Sequence, residues 1–288
     1  MRWSPRGRSA DLEDRRGEQV TRGGGLNMRS AGPLGIGGLL IVAVLSLVTG
    51  TDFLSMLDPG SGGVTTGPGP GAPPAPITAS PAEERLVEFV SFVFDDTQET
   101  WTRLLGSRYQ KATIVLFRDA VQSACGVAES ASGPFYCPGD HKVYIDLGFY
   151  QELRDRFGAP GEFAQAYVLA HEVGHHVQTL LGTEQQVRQL QGRNPGAVND
   201  LSVRMELQAD CYAGVWGNST AQREILERGD VEQGMNAAAA IGDDRIQRMG
   251  GGRVSRENFT HGSSAQRVEW FKRGLETGNP RNCDTFAR

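Results

Sequence analysis

Eighteen consecutive uncharged residues, "PLGIGGLLIVAVLSLVTG" from Pro33 to Gly50, constrain this chain more than any other stretch. A helix needs roughly 20 predominantly apolar residues to cross a bilayer, with about 17 as the lower limit. The following "TDFLSML" extends the run if Asp52 sits at the interface. The first thirty residues carry seven arginines against four acidic side chains, and after the run no Lys or Arg occurs before Arg85. That asymmetry predicts an N-terminus on the cytoplasmic side and the rest of the chain outside, periplasmic or extracellular. A cleaved signal peptide fits less well, because the leader is long for an n-region and no A-x-A-like site closes the run. A buried core helix fits less well still, since neither flank reads as part of a domain.

The expected organisation is a cytoplasmic Arg-rich leader (1–32), a single transmembrane anchor in the cell membrane (33–54), a linker (55–80) and one outer domain (81–288). The linker, which ends in "VTTGPGPGAPPAPITAS", lacks the apolar bulk to fold, and its prolines keep it extended. About 200 residues remain, enough for one core. A net charge of −5 gives no nucleic-acid footprint, so no nucleic-acid partner is expected.

All four cysteines lie in the outer domain, and an even count on an oxidising side favours disulfides. Of the three possible pairings, Cys125–Cys137 would close the loop "CGVAESASGPFYC" and Cys211–Cys283 would pin the C-terminal tail to a helix. Four buried free thiols are the alternative. Without a C-x-x-C pair a zinc ribbon is not expected.

Periodicity predicts a helix in "PAEERLVEFVSFVFDDTQETWTRLLG", strands in "KATIVLFRDAV" and "HKVYIDLGFY", and a helix from Pro160 to Gly182. The stretch "TEQQVRQLQGRNPGAVND" reads as polar with a turn at Asn194–Gly196. Further helices follow in "LSVRMELQADCYAGVWG", in the stretch from Arg223 to Met249, and in "SSAQRVEWFKRGLETG". The expected class is α+β, helix-rich, with a small sheet.

The chemistry concentrates in "AHEVGHHVQ". Helical positions i and i+4 share a face, so His171 and His175 can converge on one ion. Glu172 is turned about 100° from His171, poorly placed as a ligand but able to reach a water on that ion. This is the H-E-x-x-H arrangement of two metal histidines and a glutamate base. Gly174 lies beside that face and leaves room for another element. Leu169, Val173 and Leu180 form an apolar stripe opposite, and His176 falls away from the pair, to pack or hydrogen-bond. Glu206 in "RMELQAD" can complete a His₂Glu site, and Asp210 one turn later can orient a ligand histidine. His261 and Arg267, in "NFTHGSSAQRVEW", offer a further donor where an oxyanion must be stabilised. An amphipathic helix carrying chance histidines is the bland alternative.

On these residues the chain resembles the bacterial neutral zinc metallopeptidase family of membrane-anchored proteins. The likeness runs nearly end to end: "RW", "DLEDRRG", the apolar run, "HEVGHHVQ", "RMELQADCYAGVWG", "AIGDDR", "FTHGSSAQR" and "CDTF". The motif order is also similar to that of membrane zinc proteases of the CAAX and heat-shock type. Their H-E-x-x-H matches His171, Glu172 and His175; their E-x-x-A-D glutamate matches Glu206; their Thr-His motif with a following Arg matches His261 and Arg267. The resemblance implies a zincin-like, gluzincin-type enzyme with one Zn²⁺ per chain, a peptide or protein substrate, and His261 as a transition-state contact. Those relatives have His-Pro where this chain has His261-Gly262, and several membrane spans where this chain has one candidate, so an intramembrane chamber does not carry over. The strand "KVYIDL" is a candidate edge strand for aligning an extended peptide, with plain core sheet as the alternative. Two other function classes remain open: a tethered scaffold whose structural zinc would need a fourth ligand from His176, His261 or Asp210, and a zinc amidase acting on cell-wall material.

Overall fold

A computed structural model describes residues 1–18, 76–130 and 133–287. The expected anchor, 33–54, and the linker as far as residue 75 lie outside the described residues. Among the described residues, no helix is long and apolar enough to cross a membrane.

The described chain is helix-rich α+β with two small sheets. Helix α1 (Pro81–Leu105) starts where Ser80 accepts the Glu83 N–H and Pro81 fills the first turn, and it buries Val87, Val90, Val93, Phe94 and Trp101. Strands β2 (Thr113–Phe117) and β6 (Lys142–Asp146) pair in parallel, and β5 (Phe135–Cys137) adds antiparallel to β6. A separate hairpin joins β3 (Ala120–Ser123) to β4 (Gly126–Glu129). Alternation decides which residues meet which layer. Ile114, Leu116, Val143 and Ile145 face the helices, while Val115, Phe117 and Tyr144 pack with Val121 and Cys137 on the other face.

Two strand expectations are revised. "KATIVLFRDAV" is two strands, broken at Arg118 and Asp119, where Asp119 takes a positive φ. "KVYIDL" is not an edge: β6 is held by β2 on one side and β5 on the other, and the sheet order is β1 (Leu12–Asp14), β2, β6, β5. The edge strand next to β6 is β5.

Strand β1 (Leu12–Asp14) is the larger revision. Residues 1–32 read as a leader separate from the outer domain, yet residues 1–18 are built into it. Leu12, Glu13 and Asp14 pair in parallel with Ile114, Val115 and Leu116. Trp3 packs on Phe89 and Phe92 of α1. The buried Arg16 guanidinium reaches Asp14, Glu83 and Glu84 at 2.7, 2.7 and 2.9 Å. Arginine richness there marks a salt-bridged clamp on the first turn of α1.

After the short α2 (Phe149–Asp155) comes α3 (Glu162–Leu180), the axis of the molecule. Ala164, Ala166, Tyr167, Leu169, Ala170, Val173 and Val177 are buried on it, as are His171, Glu172 and His176. A helix buried on nearly all sides needs partners all round. They are α1, α5 (Val198–Gln222), α6 (Asp230–Ala240) and α4 (Thr183–Arg193), a helix in place of the polar stretch expected before the turn at Asn194–Gly196. After the short α7 (Asp243–Met249), the last helix, α8 (Ser264–Thr277), opens on a Ser263/Gln266 capping box and packs closely along α5. Both expected disulfides are present: Cys125–Cys137, and Cys211–Cys283, which ties α5 to the C-terminal turn.

Candidate metal centre

His171 and His175, one turn apart on α3, bring their Nε2 atoms to 3.2 Å of each other. Glu206 on α5 meets both, its carboxylate oxygens 3.2 Å from His171 Nε2 and 3.5 Å from His175 Nε2. The helices approach this closely because Gly174 presents no side chain to α5: a Cβ there would lie 3.0 Å from the Ala209 carbonyl oxygen. The expected role of Gly174 is what the packing shows.

The far side of each ring is fixed. His171 Nδ1–H donates to Asp210 Oδ1 at 2.8 Å, and His175 Nδ1–H donates to Gln178 Oε1 at 2.9 Å. Gln178 is itself held, its amide donating to the Met205 carbonyl and to Gln208 Oε1. With both Nδ1 atoms committed as donors, each neutral ring turns an Nε2 lone pair toward the other and toward a carboxylate. Three such groups can share one cation, a proton or a metal ion, and His171, His175 and Glu206 are the one set of three potential ligands clustered this way among the described residues. Two nitrogens and one oxygen suit a zinc ion with an open position.

Asp210 is fully buried and spends its oxygens on three groups: the His171 ring, the Tyr167 hydroxyl and the Arg267 guanidinium, which donates from Nε and Nη2 at 2.8 and 2.9 Å. Arg267 thus reaches the centre through Asp210. Burial opposes charge on His171, but Asp210 and Glu206 outweigh it and push the ring up to about 10 in the metal-free site. Protons and metal therefore compete for that nitrogen. Burial pushes Glu172 up to about 7, with the Glu206 charge adding to the effect.

The centre opens into a cavity of about 530 Å³ lined by His171, Glu172, His175, Glu206 and His261. Phe135 and Tyr136 of the edge strand β5 form part of its rim, and Phe149, Phe157, Val168 and Ile246 give it an apolar wall. His261 is 35% exposed at this cavity and donates from Nδ1 to Asp243 Oδ1 at 3.1 Å. Burial lowers its proton affinity, but Asp243 and Glu206 outweigh that and hold it above the ordinary histidine range. His176 stands apart, as expected: its Nε2–H donates to the Gln110 carbonyl at 2.6 Å and its Nδ1 accepts from Tyr136.

Every site residue read from the sequence therefore lies at or directly behind one centre. Three supports were missed: Tyr167, Gln178 and Asp243. Tyr167 lies one turn before His171, a spacing that carried the signal. Asp243 lies in "AIGDDR", a motif that had no assigned task.

A family model described as "putative neutral zinc metallopeptidase" matches residues 1–286. The chain belongs to this family. Among curated relatives of this chain, "Uncharacterized protein YpfJ" of Escherichia coli K12 is 47% identical over 295 residues, covering all of this chain and 99% of the relative. "Uncharacterized protein Rv2575" of Mycobacterium tuberculosis is 46% identical over 198 residues, 65% of this chain and 66% of the relative. No solved structure matches the chain. The family implies zinc, and the His171–His175–Glu206 cluster has the donor chemistry to bind it.

Proposed function

We propose that this member of the family is a zinc-dependent endopeptidase that hydrolyses extended peptides in an oxidising compartment outside the cytoplasm. The observation that carries the reading is the facing pair of Nε2 atoms with Glu206 beside them, opening on a cavity that also holds Glu172. When bound, zinc supplies a Lewis acid that polarises the scissile carbonyl and acidifies a water. His171, His175 and Glu206 would hold it, with Asp210 and Gln178 keeping both rings in the ligating tautomer.

Glu172 takes a proton from the attacking water and returns it to the leaving amine, a task helped by burial, which raises the carboxyl's affinity for protons. His261 donates a hydrogen bond to the oxyanion. Strand β5 pairs only with β6 among the described residues, so its other edge is placed to align substrate backbone beside the cavity. The apolar wall favours bulky apolar side chains. Two disulfides support the oxidising compartment.

The scaffold reading loses ground on one point. Of its candidate fourth ligands, Asp210 is engaged with Arg267 and the far side of His171, His176 is engaged with Gln110 and Tyr136, and His261, held at Nδ1 by Asp243, lies outside the cluster of three potential ligands.

The test is zinc stoichiometry with a peptide-library digest. Wild type should bind one zinc and cleave. Glu172→Gln should retain zinc and lose cleavage by about 10³-fold or more, the scale of a lost catalytic proton transfer. His175→Ala should lose both. Equal cleavage by wild type and Glu172→Gln defeats the mechanism.

A further inference from the structure

Asp243 does more than contact His261. Its side chain is buried, and its Oδ2 accepts three successive backbone N–H groups, from Thr260, His261 and Gly262 at 2.7, 2.7 and 3.0 Å. Its own N–H donates to the Gly262 carbonyl at 2.9 Å. The loop is wrapped around one carboxylate, and the other oxygen is left for His261 Nδ1, which the Thr260 hydroxyl also meets at 2.9 Å.

Gly262 makes the wrap possible. Its φ of +93° turns the chain so that its carbonyl comes back to the Asp243 N–H. Proline there would have φ near −65° and no N–H to give, so His-Gly is what a loop of this shape requires.

We propose that Asp243 is the positioning residue for His261, committing Nδ1 as a donor so that Nε2–H is presented to substrate in the cavity. The role rests on the peptidase reading, but its structural half can be read without turnover. Replacing the aspartate of a His–Asp pair by asparagine leaves the shape intact and favours the wrong tautomer. Asp243→Asn should therefore lower kcat by about 10²-fold or more, the scale for a lost oxyanion donor. KM should change by less than about twofold and zinc stoichiometry should stay at one. Side-chain ¹⁵N NMR of His261 should show proton occupancy leaving Nδ1. Thr260→Val, which removes only the hydroxyl at Nδ1, should move kcat and the ¹⁵N shifts in the same direction by less, and it covers the case in which Asp243→Asn does not fold. Unchanged His261 resonances in both variants, or a kcat loss that tracks zinc loss, overturn the role. If wild type cleaves nothing, the peptidase reading falls and the NMR comparison alone decides whether Asp243 sets the His261 tautomer.

A second inference stands on the N-terminal clamp and is independent of zinc. We infer that residues 1–18 and residues 76–287 occupy the same side of any membrane. Strand β1 is paired in register with β2, and the Arg16 side chain is buried against α1, with Ser9 Oγ donating to Asp95. None of these contacts can form across about 30 Å of hydrocarbon. One crossing between residues 18 and 76 would separate them. The uncharged run at 33–50 is long enough for one crossing at about 1.5 Å per residue and too short for two. The single span with a cytoplasmic leader is therefore the topology the fold opposes.

All four native cysteines are in disulfides, so one introduced thiol reports alone. Ser4→Cys and Arg193→Cys, both at exposed positions, would be made in the full chain. Each would be treated with a membrane-impermeant maleimide in intact cells, in right-side-out vesicles and in inside-out vesicles. Labelling of both thiols from the same face is expected. Labelling from opposite faces overturns the inference.

Discussion

Among the described residues, two arginine–carboxylate networks are built on a buried guanidinium, and only one of them belongs to a site. Arg16 gives its donors to Asp14, Glu83 and Glu84 and closes the N-terminal segment onto α1. Arg267 gives two donors to Asp210 and one to the Ile241 carbonyl. Both guanidiniums are buried and both are fully employed. The difference lies one bond further on. The carboxylates around Arg16 return to arginines, Arg8 and Arg118 among them, so that network ends in itself. Asp210 passes its hydrogen bond to His171, whose opposite nitrogen meets another lone pair and a carboxylate beside a cavity. A charge cluster becomes a site through electron pairs left facing each other, and density of charge alone does not make one.

The largest expected effect separates the networks directly. Asp210→Ala strands a buried guanidinium, which costs about 3–5 kcal/mol, and it frees the His171 ring, which should weaken zinc about 10- to 100-fold. Urea unfolding and a competitive zinc titration measure the two losses. Stability lost with zinc affinity intact would make Arg267–Asp210 a structural pair like the other.

Arg16→Ala comes next. Its partners Asp14, Glu83 and Glu84 are 10%, 24% and 39% exposed, so solvent screens part of the loss and about 2–3 kcal/mol is expected. Zinc affinity should be unchanged, and saturating zinc, at about 1,000 times its Kd, should stabilise variant and wild type by the same ~4 kcal/mol. A smaller zinc increment in the variant would mean that the clamp and the metal centre are coupled.

The metal centre was legible because its ligands fall at local spacings. His171 and His175 differ by one turn, as do Glu206 and Asp210, and a helix turns such spacing into a shared face without reference to the rest of the fold. The cysteine pairs were legible for a similar reason, since four cysteines allow only three pairings. The N-terminal segment was not, because β1 pairs with a strand about 100 residues away and is only three residues long. Its arginines look the same in sequence whether they face lipid headgroups or a cluster of glutamates. Strand β5 was hidden by the same brevity, which is why the edge was assigned to β6. Asp243 was hidden because a carboxylate that accepts backbone N–H groups leaves no periodic mark.

The smallest expected effect is acid release of the clamp. Burial raises the Asp14 and Glu83 carboxyls, but their arginine partners outweigh it; Arg8 and Arg16 act on Glu84. All three end below their ordinary values of 3.8 for Asp and 4.5 for Glu. A carboxylate depressed in the folded state contributes stability that is complete above its unfolded value and is lost as pH falls through its folded value, because the unfolded chain binds more protons in that window. The clamp should therefore hold at pH 6, begin to weaken below about 4.5, and loosen further as pH falls past 3.8. The loss should be up to about 1 kcal/mol per carboxylate, less in high salt. Hydrogen exchange of residues 12–16 against the α3 amides, from pH 6 to 3 and corrected for intrinsic rates, reads it. Protection of β1 should fall before that of α3, and Arg16→Ala should flatten the slope. A slope that Arg16→Ala does not alter would mean that the segment is held by Trp3 and the strand pairing, with the charges as bystanders.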